Sequence, residues 1–145
     1  MKREQIKMHK DATKYHRACA KFLRCPPSKA AIRARTLTGL PVSLAISMLK
    51  YSPTSSARLI LSVLNSAVAN ATNRDGGADV DELVVAKICV DRGPMLKRHH
   101  PISHGTAQAI LKRTCHISVE LKSALAYLQD HKKASGKGRP RKKKS

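Results

Sequence analysis

The chain is short of acid. Asp and Glu total 9 against 29 Lys and Arg in 145 residues, a formal net charge of +20. Where the acids are missing matters more than how few there are. None falls between Ala12 and Arg74 or between Arg92 and Val119, and four crowd into the eight positions from Asp75 to Glu82. A merely solvated face mixes both signs, so stretches this long without a carboxylate point to a strongly negative partner, with the acidic loop turned away from it. Scarce, clustered carboxylates also exclude a paired general acid and base, and the sequence holds no nucleophile elbow, phosphate-cradling glycine loop or His-Glu-x-x-His. The expectation is a protein that is not an enzyme and carries no cofactor.

Other absences narrow the partner. Trp is missing, and the aromatics are Tyr15, Phe22, Tyr51 and Tyr127, which leaves few platforms for stacking unpaired bases. Recognition by phosphate contact and shape remains. No apolar run approaches the roughly 18 to 20 residues that span a bilayer, and Met1 to Lys10 lacks the apolar core of a secretory signal; a soluble, intracellular chain with no membrane partner is expected. Cys19, Cys25, Cys89 and Cys115 have neither C-x-x-C spacing nor the density of a disulfide framework. They are read as reduced, mostly packing cysteines. His99, His100 and His104 sit without a carboxylate or thiolate nearby to orient them, so no metal is expected.

What is present can be taken in chain order. Residues 1–14 are polar and basic without periodicity, a flexible arm. Tyr15 to Cys25 alternates loosely, with Ala18, Ala20 and Phe22 apolar, and predicts a strand. Pro26-Pro27 stops it and suits a helix start; Ser28 to Leu37 then runs to Gly39, and Val42 to Leu49 restarts a second helix whose apolar residues leave only serines outward. From about Thr54 to Asn73, Leu59, Ile60, Val63, Leu64, Ala67, Val68 and Ala71 make one wide apolar face that must lie on a sheet. Its opposite face carries Arg58, Ser62, Asn65, Ala69 and Asn73, open to a close-approaching polyanion.

The stretch 84–121 organises the rest. Its arms are Val84 to Val90 and Thr114 to Leu121; in the second, Cys115, Ile117, Val119 and Leu121 share one face. The segment between them is basic, marked by Gly and Pro, and too poor in large apolar residues to bury itself. An isolated hairpin is marginal in water, so this one is expected to be ordered by an anionic partner. Beyond Leu121, Ala124, Leu125 and Leu128 hint at one or two helical turns, and 131–145 reads as a disordered basic tail.

Three segments then carry a resemblance: Ser66-Ala67-Val68-Ala69-Asn70-Ala71, Val90-Asp91-Arg92-Gly93-Pro94-Met95-Leu96-Lys97-Arg98 and Lys112-Arg113-Thr114-Cys115-His116-Ile117. In that order and spacing the chain resembles large-subunit ribosomal protein twenty-two of the bacterial type, over about Ala18 to Leu121. The resemblance implies an α+β body, a small antiparallel sheet packed against three helices, with a long protruding β-hairpin and basic flexible termini. Residues 15–121 would be one domain including the hairpin at about 84–121, and 122–145 a short helix and Lys/Arg-rich tail.

The resemblance further implies a structural constituent of the large subunit that binds its rRNA, supports early assembly and lines the nascent-peptide exit tunnel. Its partners would be large-subunit rRNA, neighbouring ribosomal proteins and the nascent polypeptide, in a cytoplasmic or organellar ribosome and not as a homo-oligomer. The residues expected on rRNA are Lys29, Arg58, Asn65, Asn70, Arg92, Lys97, Arg98, His99, His100, Lys112, Arg113 and His116. Ser28, Ile102, Thr106, Ala109 and Leu111 stand where the family usually has Arg, so the distal hairpin is less cationic than its relatives'. The competing reading is a free basic nucleic-acid-binding regulator using the two short helices and the tail.

Overall fold

The computed structural model describes residues 16–74 and 79–136. The arm 1–14, the Gly76-Gly77 turn and the basic end past 136 lie outside the described residues, as does the disorder expected of both termini.

Strand β1 (His16–Leu23) opens in alternation, with His16 and Ala18 buried and Arg17 and Cys19 exposed. The alternation then breaks. Ala20 pairs with Ile117 and Leu23 with Cys115, so Lys21 and Phe22 together oppose His116, a bulge that re-aims the chain. Phe22, expected to continue the inward row, adopts φ +58° and is 62% exposed; Leu23 packs on the core instead.

Helix α1 (Pro27–Leu37) has Pro in its first turn and buries Ala30, Ala34 and Leu37. After it, Gly39 stands at φ +88° with the Tyr127 hydroxyl 3.0 Å from where a Cβ would be. The Gly39 N–H donates to the Val85 carbonyl (2.8 Å), and the Val85 N–H donates to Leu40 (3.0 Å), which pins this turn to the sheet. Helix α2 (Val42–Tyr51) buries Val42, Ala45 and Leu49. Leu44 and Met48 are 55% and 52% exposed, correcting the expectation that only serines would face outward. One narrow row at i, i+3, i+7 touches the body and leaves its neighbours outside.

Helix α3 (Ser55–Arg74) meets its expectation. Ile60, Val63, Leu64, Ala67 and Ala71 are buried, and the helix lies across β1 and the last strand.

That sheet is antiparallel, with β5 (Cys115–Ser123) in the middle between β1 and β2 (Leu83–Arg92). In β5 (Cys115–Ser123), Cys115, Ile117, Val119 and Leu121 are fully buried, as the alternation required; each of the three aliphatic side chains contributes about 1.5–3 kcal/mol. In β2 (Leu83–Arg92), Val85 pairs with Leu121 and Lys87 with Glu120. The extra residue, Ala86, moves the inward phase from Leu83 and Val85 to Ile88 and Val90.

Helix α4 (Ala124–Gly136) is longer than the one or two turns expected, and takes in residues assigned to the tail. The Ala126 N–H donates to Ser123 Oγ (3.4 Å), and Lys122 Nζ reaches Asp130 Oδ2 at 2.6 Å, so strand and helix are tied where they meet.

Beyond Arg92 the chain leaves the body. Strands β3 (Leu96–Pro101) and β4 (Ala107–Lys112) form a separate two-stranded sheet, a finger roughly 20 Å long by strand rise. Every residue from 97 to 113 is exposed. Its root is clasped: the Gly93 N–H donates to the Thr114 carbonyl (3.0 Å), and the buried Thr114 hydroxyl donates to the Pro94 carbonyl (2.7 Å). At its tip, His104 (φ +58°) and Gly105 (φ +69°) make the reversal.

Candidate nucleic-acid interface

The finger carries cations on both faces. Directly opposed residues of an antiparallel pair share a face, and the register opposes Leu96 to Lys112, Arg98 to Ile110 and His100 to Gln108, then Lys97 to Leu111 and His99 to Ala109. One face therefore holds Lys112, Arg98 and His100, the other Lys97 and His99. A sheet resting on its own body keeps one face apolar, and this one does not. Arg98 donates to the Lys97 carbonyl at 2.7 Å, which stiffens that arm. Among the described residues the ion pairs are Arg17–Glu120 at 3.9 Å and Lys122–Asp130 at 2.6 Å, both off the finger.

At the root, Arg92 and Arg113 line a cleft of about 250 Å³ with Pro27, Ser28, Ala31 and Val90, so the bulge-bearing strand β2 and the start of α1 meet there. Lys29 points into a second cleft beside Arg33. Arg58 and Asn65 lie on the exposed face of α3. Two expected contacts are engaged inside the protein. Asn70 donates to the Arg17 carbonyl at 3.1 Å, joining α3 to β1, and His116 Nδ1 accepts the Phe22 N–H at 2.9 Å with the two rings 4.8 Å apart, edge to face. The described acids Asp79, Asp81 and Glu82 are exposed in the loop before β2. Arg33, which sequence reasoning did not single out, stands one turn beyond Lys29 on α1 and lines the same cleft; the i, i+4 spacing was the signal.

The thiols of Cys25 and Cys115 are buried, the Cys25 thiol donating to the Pro26 carbonyl at 3.6 Å, and burial pushes both above the usual thiol range. They are neutral packing groups with little nucleophilic character. Cys19 is exposed and does not fit the packing expectation. Among the described residues no group of three or more His, Cys, Asp or Glu could hold a metal ion, and no helix is long and apolar enough to cross a membrane.

Residues 18–122 match the family model described as ribosomal protein L22p/L17e. The chain belongs to that family. It is 46% identical over 105 residues to large ribosomal subunit protein uL22 of Lawsonia intracellularis, covering 72% of this chain and 93% of the relative. It is 47% identical over 105 residues to the large ribosomal subunit protein uL22 of Nitratidesulfovibrio vulgaris, again 72% of this chain and 93% of the relative. As an L22p/L17e member the chain is a non-enzymatic structural constituent of the large ribosomal subunit, and its place is in the ribosome. The match takes in the three helices, the sheet and the whole finger, and stops before α4.

Proposed function

We propose that this chain binds large-subunit rRNA by wedging its finger between folded RNA segments, supports early assembly of the subunit, and lines the nascent-peptide exit tunnel with the finger's distal part. One observation carries the reading: a two-stranded element that is exposed on both faces, cationic on both and free of carboxylate. Lys97, Arg98, His99, His100 and Lys112 contact phosphate and sugar along the finger, Arg92 and Arg113 do so at its root, and Lys29, Arg58 and Asn65 on the body. Asn70 and His116 act by holding the surfaces that meet RNA. Neighbouring ribosomal proteins and the nascent polypeptide are the other partners, and the chain enters the subunit as a single copy. Residues 15–121 form the anchored unit, with the basic ends as accessory RNA contacts; in a bacterium its location is the cytoplasm.

The test is sedimentation of the full chain from lysate at moderate salt, with crosslinks mapped on the large-subunit fraction. We expect crosslinks from Lys97, Arg98, Lys112 and Arg113 to rRNA, and from the tip near His104 to a stalled nascent chain. A chain that runs with free protein or nucleoid contradicts the reading.

A further inference from the structure

The finger leaves the body at one end of the three-stranded sheet, where Arg92 pairs with Cys115. At the other end Leu83 pairs with Ser123, roughly 30 Å away by the rise of β2. The surface there has the opposite charge. Asp79, Asp81 and Glu82 are exposed in the loop that enters β2, while Arg17 on β1 and Lys122 on β5 already have carboxylate partners, Glu120 at 3.9 Å and Asp130 at 2.6 Å.

Helix α4 adds an apolar stripe at the same end. It begins at Ala124, next to Ser123, so its first turn stands beside Glu82, the chain neighbour of Leu83. Tyr127 turns in toward Gly39. Leu125 and Leu128, three positions apart on one side of the helix, are 74% and 57% exposed. A lone exposed leucine is ordinary, but two adjoining ones bordered by three carboxylates make an apolar patch with a polar rim, which marks a contact surface.

We propose that this end of the body docks a second protein through a cationic segment, whose apolar side chains cover Leu125 and Leu128 while its Lys or Arg side chains reach Asp79, Asp81 and Glu82. Charge complementarity selects that occupant. RNA does not fit, because its phosphates would meet three carboxylates. The inference deepens the reading that neighbouring proteins are partners, and rests on it for where the second protein is met, in the assembled large subunit. Helix α4 lies beyond the matched residues 18–122, so the surface joins the shared body to a helix outside the match.

Crosslinking within large subunits that contain the full chain tests it. One sample carries a benzophenone amino acid in place of Leu125; another is treated with a carbodiimide, which joins carboxylates to lysines. Mass spectrometry should find position 125 and at least one of Asp79, Asp81 and Glu82 joined to the same Lys-bearing segment of a second protein. That segment, made as a peptide, should bind the free full chain. Its affinity should fall at least tenfold in Leu125→Ser/Leu128→Ser and several-fold in Asp79→Asn/Asp81→Asn/Glu82→Gln, both with an unchanged unfolding transition. Crosslinks to rRNA, to the chain's own residues 1–15 or 131–145, or to no protein overturn the surface, as does a peptide that binds neither or binds the variants as tightly as the native chain. A chain that does not enter the large subunit overturns the ribosomal reading as well, whereas one that enters and gives none of the expected crosslinks overturns the docking surface alone.

Discussion

Gly93 and Gly105 mark the two ends of the finger and are needed for different reasons. A Cβ on Gly93 would collide with the Thr114 hydroxyl and press to 3.3 Å from His116 Nε2, whereas nothing lies within 4 Å of one on Gly105. Gly93→Ala therefore overpacks the clasp that joins finger to body, and should cost about 1–3 kcal/mol, a fall of several degrees in the thermal midpoint. Gly105→Ala strains only the tip, through its positive φ, and should leave that midpoint unchanged. An equal fall in both would mean that the tip belongs to the cooperative unit. Sulfur gives a second residue-scale outcome. Iodoacetamide should label native Cys19 rapidly and spare Cys25 and Cys115, read by mass spectrometry. The same burial has a pH consequence. Both thiols titrate higher folded than the usual 9.0, so the unfolded chain ionises first, and stability that is complete below about pH 9 should decline as pH rises past it. Urea midpoints at pH 7 and pH 10 check the sign.

At the scale of elements, the strands separate structural from RNA-directed roles. Replacing Lys112 and Arg113 with Ala should flatten the salt dependence of rRNA binding by about 1.5 in log–log slope and leave the unfolding midpoint alone. Replacing His116 or Asn70 should do the reverse, lowering stability by about 1 kcal/mol through a lost hydrogen bond with the slope unchanged. Changing Asp79 and Asp81 should alter neither. Shortening the finger, with Leu96 to Lys112 replaced by a Gly-Gly turn, should keep the body folded and weaken rRNA binding, because the core draws on β1, β2, β5 and helices α1 to α3 and on nothing distal. Most elements were legible in the sequence: period-two and period-3.6 rows located β5 and α3, and Pro and Gly located the limits of α1 and the root of the finger. What escaped were two bulges and one helix. Single inserted residues, at Lys21-Phe22 and at Ala86, leave no mark on composition yet reverse which face a side chain takes. Helix α4 depends on partners distant in sequence, such as Gly39 beneath Tyr127, and its local apolar pattern is weak.

Among the described residues the molecule is a small core with cations on its surface and along the finger. The 29 Lys and Arg against 9 acids repel one another in the compact state, and the finger, least able to bury anything, carries that charge on both faces. Legibility of the site followed the same division. The exposed cations of the finger could be read one by one, since nothing in the protein competes for them. Asn70 and His116 could not, since whether each faces inward or outward is decided by contacts across the fold. Amide hydrogen exchange of the full chain, free and within the large subunit, tests the central claim most directly. We expect the β3 and β4 amides to exchange rapidly in the free protein and to become strongly protected in the subunit, while β5 is protected in both. A finger already protected in the free protein, or one that stays unprotected in the subunit, would contradict it.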